Sequence, residues 1–201
     1  MLDSIKLNYS PAVKYILDKM RQQLPDNLRY HSIEHTLAVL KASEFLAEKL
    51  NITSEDKNLL LTAAAYHDSG FTTAYKNHET VGTEIAQEAL PQFGFTQTQI
   101  DKVKQMIMAT KIPQSPQTEL EKILCDADLE YLGGEDYAEI SETLLEELKL
   151  NGNELSAKDW LNMQIGFLEI HHFWTSYGLE VLTPKKQHVL AKLKEERAKM
   201  E

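Results

Sequence analysis

A single cysteine, Cys125, stands in the 201-residue chain. One thiol excludes an internal disulfide and any zinc site built on several thiolates. Glycine and proline are scarce, at eight and six residues, too few for a loop-dominated or disordered chain. No apolar run approaches the ~18 residues of a membrane-spanning helix, so no membrane partner is expected. Cationic side chains are the minority: 21 Lys and Arg against 31 Asp and Glu give a net charge of −10. Phosphate backbones require clustered Lys and Arg, so this balance argues against non-specific nucleic-acid binding. The same surplus of negative charge repels a small phosphorylated molecule unless a local cation offsets it. The opening segment MLDSIKLNYSPAVKYIL has no basic stretch followed by a long apolar one, so no signal peptide is expected. Together these features point to a reducing, cytoplasmic location. There is no repeat, low-complexity tract or Gly/Ser linker.

What is present is helical. Hydrophobic residues make up 42% and charged residues 26%, an ordinary globular balance, and the length suits one domain over residues 1–201 with a full core. Composition carries no signal for an oligomeric state. Apolar residues recur at three- and four-residue spacing almost throughout, and strand-like alternation is rare. Ser10 followed by Pro11 resembles a cap and first-turn proline opening a helix to about residue 24. Further helices are expected at about 32–50, 54–68, 79–90, 97–110, 117–130, 135–149, 156–176 and 184–199. The proline-bearing stretch 111–118 reads as a surface loop. The helix beginning at Ser54 runs through LLLTAAAYHD. It is apolar on nearly every face, which marks a central helix. His67 and Asp68 therefore fall at the rim of the core, where burying them unpaired would cost several kcal/mol, about 2–7 for a neutral polar group alone.

Three short stretches carry chemistry. In YHSIEH, His31 and His35 are four residues apart, about 6 Å between Cβ atoms on a helix. His35 continues into Val39, Ala42 and Leu46 and faces inward, while His31 sits at the helix mouth. Alone, this fits equally a satisfied core histidine beside an exposed one. His67-Asp68 pairs an imidazole with a hard oxygen ligand, a mix suited to Zn, Mn, Fe, Mg or Ni. It also fits a simple cap or bridge. In CDADLEYLG, Asp128 shares a helical stripe with Leu120 and Leu124, whereas Asp126 shares one with Lys122 and Glu119. A carboxylate on a core-facing stripe needs a partner, and a metal ion is a strong one. Asp126 is expected in solvent or paired with Lys122.

Jointly the residues spell H…HD…D at intervals of 32 and 60. This pattern resembles the HD superfamily of metal-dependent phosphohydrolases, over about Arg29 to Leu132. The resemblance implies an all-α, single compact helical bundle of the HD type, with the C-terminal helices completing the pocket. It implies a metal held by His35, His67, Asp68 and Asp128. YHSIEHTLAV is also similar to the signature of class I cyclic-nucleotide phosphodiesterases, which implies that His31 is a general acid. QIGFLEIHHFW is similar to that family's segment with a purine-binding Gln and a clamping Phe, here Gln164 and Phe167. Trp160, Gln164, Phe167, His171 and Trp174 are expected on one helical face, which fits a core stripe as well. The chain departs from the phosphodiesterases after His-Asp, where Ser69-Gly70-Phe71 intervenes. His78 in NHETVG is more similar to the His-Glu of small bacterial HD proteins. It is open as a ligand of a second metal or a solvated helix-start residue.

The resemblance implies one or two divalent ions (Mn, Mg, Zn, Fe or Ni), with Asp68 bridging if there are two. Such an ion lowers the pKa of water from 15.7 toward about 7, while His31 protonates the leaving oxygen. The expected ligand is a small-molecule nucleotide or other phosphate ester. A phosphodiesterase is the first reading. A phosphomonoesterase and a non-catalytic nucleotide or metal sensor stand beside it. Lys111 is placed either against a phosphate or in solvent. His188 is expected structural or exposed, His172 outward, and SETLLEELKLNGNE a surface helix and turn.

Overall fold

The computed structural model describes residues 10–200. Residues 1–9, which carry much of the stretch read above for a signal peptide, lie outside the described residues. Among the described residues there are nine α-helices and no strand. No helix among them is long and apolar enough to cross a membrane.

Helix α1 (Pro11–Gln23) opens on Ser10, whose hydroxyl accepts from the Val13 amide, with proline in the first turn as its sequence suggests. Helix α2 (Ile33–Lys49) is capped by Ser32, and α3 (Ser54–Tyr66) by Thr53. Around α3, residues 59–60 and 62–66 are all buried. The helix packs on α1, α2, α4 (His78–Ala89), α5 (Gln97–Ala109) and α6 (Glu119–Asp128), which is why its sequence is apolar on every side. Thr96 and Thr118 start α5 and α6 with reciprocal capping boxes closed by Gln99 and Glu121.

The C-terminal third builds on a second apolar cluster of Leu129, Leu132, Tyr137, Leu161, Leu168 and Phe173 with residues of the last helix. It comprises α7 (Tyr137–Leu150), α8 (Ala157–Ile170) and α9 (Thr183–Ala198), the last entered through a π-helical turn at Gly178–Leu182. Tyr177 packs against both clusters.

Helix α8 ends at Ile170, six residues short of the expected end at 176. His171 adopts an extended conformation with ψ 140°. The cause is Asp126, which is fully buried rather than solvated. Its carboxylate accepts from the amides of Trp174 (2.8 Å) and Thr175 (2.9 Å) and from the Thr175 hydroxyl (2.7 Å). These donors are thereby drawn out of a helix. Lys122, the partner expected for Asp126, pairs with Glu119 instead. Gly178 lies so close that a Cβ there would meet the Asp126 carboxylate. Replacing Asp126 with alanine would strand three donors. We expect a loss of about 3 kcal/mol or more, read as a lowered urea midpoint.

Candidate metal centre and adjoining cavity

Three helix ends converge on one point. His35 projects from the first turn of α2, His67 caps the end of α3 with Asp68 after it, and Asp128 closes α6. One ligand atom each from His35, His67 and Asp128 all lie within 4.8 Å of one another. His35 Nε2 is 3.1 Å and His67 Nε2 3.4 Å from Asp128 Oδ1. Asp68 Oδ2 is 3.1 Å from His67 Nε2 and 3.5 Å from His35 Nε2. Ligands about 2.1 Å from a tetrahedral ion stand about 3.4 Å apart, so this spacing suits a cation at their centre.

Two observations test the fit. His67 Nε2 and Asp68 Oδ2 are buried and make no hydrogen bond, although they face each other. Such orphaned atoms are costly unless something sits between them. Also, His67 Nδ1 donates to the Ala64 carbonyl at 2.8 Å, which fixes the tautomer and leaves the Nε2 lone pair pointing at the centre. Electrostatics agree. Burial works against charge on Asp68 and Asp128, yet the surrounding imidazoles hold both carboxyls well below the usual range. Burial likewise disfavours His67 as a cation, but Asp68 and Asp128 outweigh it and raise its pKa well above the usual value, so in the absence of an ion a proton would take the place at Nε2 that a metal would take. The site is a pair of buried carboxylates that demands positive charge. The residues present therefore fit a divalent ion.

His78 begins α4, and its Nε2 is 3.5 Å from Asp68 Oδ1 and 3.6 Å from Glu79 Oε1. Burial pulls its pKa down, which suits a neutral ligand. Its backbone is pressed against Gly70, where a Cβ would collide with the His78 carbonyl. Only glycine lets the 3₁₀ turn Ser69–Thr72 approach α4 this closely. The Phe71 ring of that turn stacks on both His78 and His31, with centroids at 3.9 and 4.2 Å.

His31 precedes the Ser32 cap and stands 6.2 Å from His35, ring to ring. Its Nδ1 is 2.6 Å from Glu147 Oε1. Glu147 lies on α7 in the stretch expected to be a surface helix, yet it is fully buried. It also accepts from the Tyr30 and His31 amides and from the Tyr75 hydroxyl. Sequence reasoning missed it. The available signal was its spacing of three and seven residues from Leu144 and Ile140. Burial lowers the His31 pKa, but the Glu147 hydrogen bond and the field of Asp68 outweigh it and raise it above the usual range. Glu147 is depressed in turn by His31 despite its burial.

Beside the centre opens a cavity of about 250 Å³ lined by His31, Asp68, His78 and Asp128 on one side. Trp160, Gln164 and Phe167 of α8 line the other. The Tyr137 hydroxyl donates to Gln164 Oε1 at 2.9 Å, which leaves the amide NH₂ to donate elsewhere. His171 and Trp174, expected on the same face, lie beyond the helix end and border a neighbouring groove. Burial and the nearby Lys186 push His171 down to about 3. Lys111 is exposed, does not line the cavity, and reaches Asn77 Oδ1 at 3.5 Å. His172 and His188 are exposed.

Residues 32–130 match the HD domain family model. No curated protein matches the chain. Among solved structures, a predicted HD superfamily hydrolase from an uncultured Thermotogales bacterium superposes with a TM-score of 0.65 at 20% identity, over 98% of this chain and 97% of that one. Bacillus subtilis YpgQ, solved in complex with ADP, superposes with a TM-score of 0.62 at 16% identity, over 93% and 97%. At such identities the two likenesses show a shared fold. The family match over residues 32–130 and the helix-end ligand cluster together identify an HD domain within this chain.

Proposed function

We propose that this protein is a metal-dependent phosphohydrolase acting on a nucleotide-like phosphate ester, and a phosphodiesterase first. The observation that carries the reading is the pair of orphaned buried ligand atoms, His67 Nε2 and Asp68 Oδ2. They meet His35 and Asp128 at the wall of a cavity that also holds His31.

His35, His67, Asp68 and Asp128 would hold the ion, with His78 available to a second. A divalent ion there supplies Lewis acidity, lowering the pKa of water toward about 7 and neutralising phosphoryl oxygens. The chain's own residues do the rest. His31 holds a proton at Nε2 because Glu147 engages Nδ1, and this proton goes to the departing oxygen. Gln164 offers its NH₂ to an acceptor on the ester's organic part, and Phe167 and Trp160 cover that part and exclude water. Either ester expels an alcohol oxygen that this proton can meet, so the diester preference rests on the likeness of the segments carrying His31, Gln164 and Phe167 to those of the cyclic-nucleotide phosphodiesterases. The ADP bound to the Bacillus subtilis neighbour supports a nucleoside-bearing ligand and carries nothing on the number of phosphoryl groups this chain prefers.

The test is hydrolysis of a 3′,5′-cyclic nucleotide against the matching 5′-monophosphate after Mn²⁺ loading. We expect at least a tenfold preference for the cyclic diester, loss of turnover with EDTA, and recovery with added Mn²⁺. A preference for the monophosphate would make the protein a phosphomonoesterase. No turnover of either with any divalent ion would overturn the enzyme reading.

A further inference from the structure

The cavity's charge and outline go beyond what hydrolysis of an ester requires. Its charged acidic lining is Asp68, Glu79 and Asp128, and its basic groups are the imidazoles of His31 and His78. Among the described residues, no lysine or arginine lines it. Di- and triphosphates are ordinarily gripped by arginine forks or lysine ammonium groups. Here a second phosphoryl group beyond the cation centre would meet carboxylates, neutral hydroxyls and hydrocarbon, with no guanidinium or ammonium to offset its charge.

Away from the ligands the wall is apolar and aromatic, with Leu132, Tyr137, Leu144, Trp160 and Phe167. The cavity does not stop there. Ile112 and Phe167 also border a second groove, bounded by Pro113, Ile170 and Trp174. Ile112 is 51% exposed, Met163 48% and Ile170 75%, so the rim joining the two is hydrocarbon open to water. Exposed apolar side chains gathered at a cavity mouth mark a ligand surface.

We propose that this site selects esters bearing one phosphoryl group on an uncharged, flat and elongated body. Its far end crosses Phe167 into the groove beside Ile170 and Trp174. Nucleoside di- and triphosphates are selected against. The inference rests on the phosphohydrolase reading for where the phosphoryl group sits, and it is tested by binding so that the two fail separately.

The probes are phenylphosphonate and 4-biphenylylphosphonate, which differ in length, and AMP and ADP, which differ by one phosphoryl group. Calorimetry on Mn²⁺-loaded protein at fixed free Mn²⁺ reads their affinities. We expect 4-biphenylylphosphonate to bind at least tenfold tighter than phenylphosphonate, with Ile170→Asp shrinking that ratio at least threefold. AMP should bind at least tenfold tighter than ADP, and Met163→Lys, adding a cation at the mouth, should narrow that gap. Ile170 and Met163 are exposed enough that neither change threatens folding. ADP binding as tightly as AMP, or the two phosphonates binding alike, would overturn the inference. The expected order of affinities without turnover of any ester would support the selectivity and overturn the phosphohydrolase reading instead.

Discussion

Asp128→Ala should empty the metal centre and silence hydrolysis. Asp128 Oδ1 stands 3.1 Å from His35 Nε2 and 3.4 Å from His67 Nε2, so alanine there removes an anionic corner that both histidines share. Elemental analysis should show metal content falling to background. Lewis-acid stabilisation of the transition state is worth several kcal/mol, and each 1.36 kcal/mol is tenfold in rate. Turnover should therefore drop by on the order of 10³-fold or more. Chain folding should survive, because Asp128 sits at the last turn of α6 facing the cavity and not in the apolar cluster. A variant that keeps stoichiometric metal and normal turnover would show that the cation binds elsewhere.

His31→Ala should behave differently, costing roughly 10²–10⁴ in turnover while metal content stays intact. The loss should shrink for a 4-nitrophenyl leaving group, which departs without protonation. The pH profile gives an independent reading through Glu147. His31 is held above its usual pKa first by the Glu147 hydrogen bond, against burial, and then by Asp68 and Asp128. An active form that needs the imidazolium persists until pH rises through this raised value, so the alkaline limb lies above that of an ordinary histidine. With a cation bound, the fields of Asp68 and Asp128 are largely offset, and Glu147 remains the chief support. Glu147→Gln should therefore move the alkaline limb to lower pH, and metal content should not change. Linkage follows the same signs. The raised His31 contributes stability fully below its unfolded pKa and loses it as pH rises through the folded one. The depressed Glu147 contributes above its unfolded pKa and loses it as pH falls through the folded one. The pair is thus most stabilising between the ordinary carboxylate range and the raised imidazole value. An unmoved alkaline limb in Glu147→Gln would remove His31 from the proton transfer.

That His35, His67, Asp68 and Asp128 would gather at one point was implied by the HD resemblance, and strong helical phase supported it. LLLTAAAYHD is apolar all round, and Asp128 follows Leu120 and Leu124, so polar groups on core-facing ends stood out. The same reasoning misplaced Asp126, since α6 is buried on more sides than a two-stripe helix allows. Residues 173–178 cover the side that looked polar, and that cover comes from 48 residues downstream. It likewise hid Glu147, one of several glutamates in a row, where Glu146 is exposed and Glu147 fully buried. Which of two neighbouring acids turns inward depends on α7 meeting the turn before α2. Nothing local to the stretch encodes that meeting. The end of α8 at Ile170 was illegible for a related reason, because its competitor is a distant carboxylate rather than a breaker such as proline.

Two aspartates on one turn of α6 serve opposite ends of the molecule. Asp128 reaches forward to the histidines of the N-terminal helices, while Asp126 ties down the strap between α8 and α9. Any small rotation of α6 that relieves crowding around a guest ion must also tug on that strap, and with it on the aromatic wall formed by α8. How firmly this cluster could grip an ion and how wide the pocket stands are thus set by the same short piece of backbone.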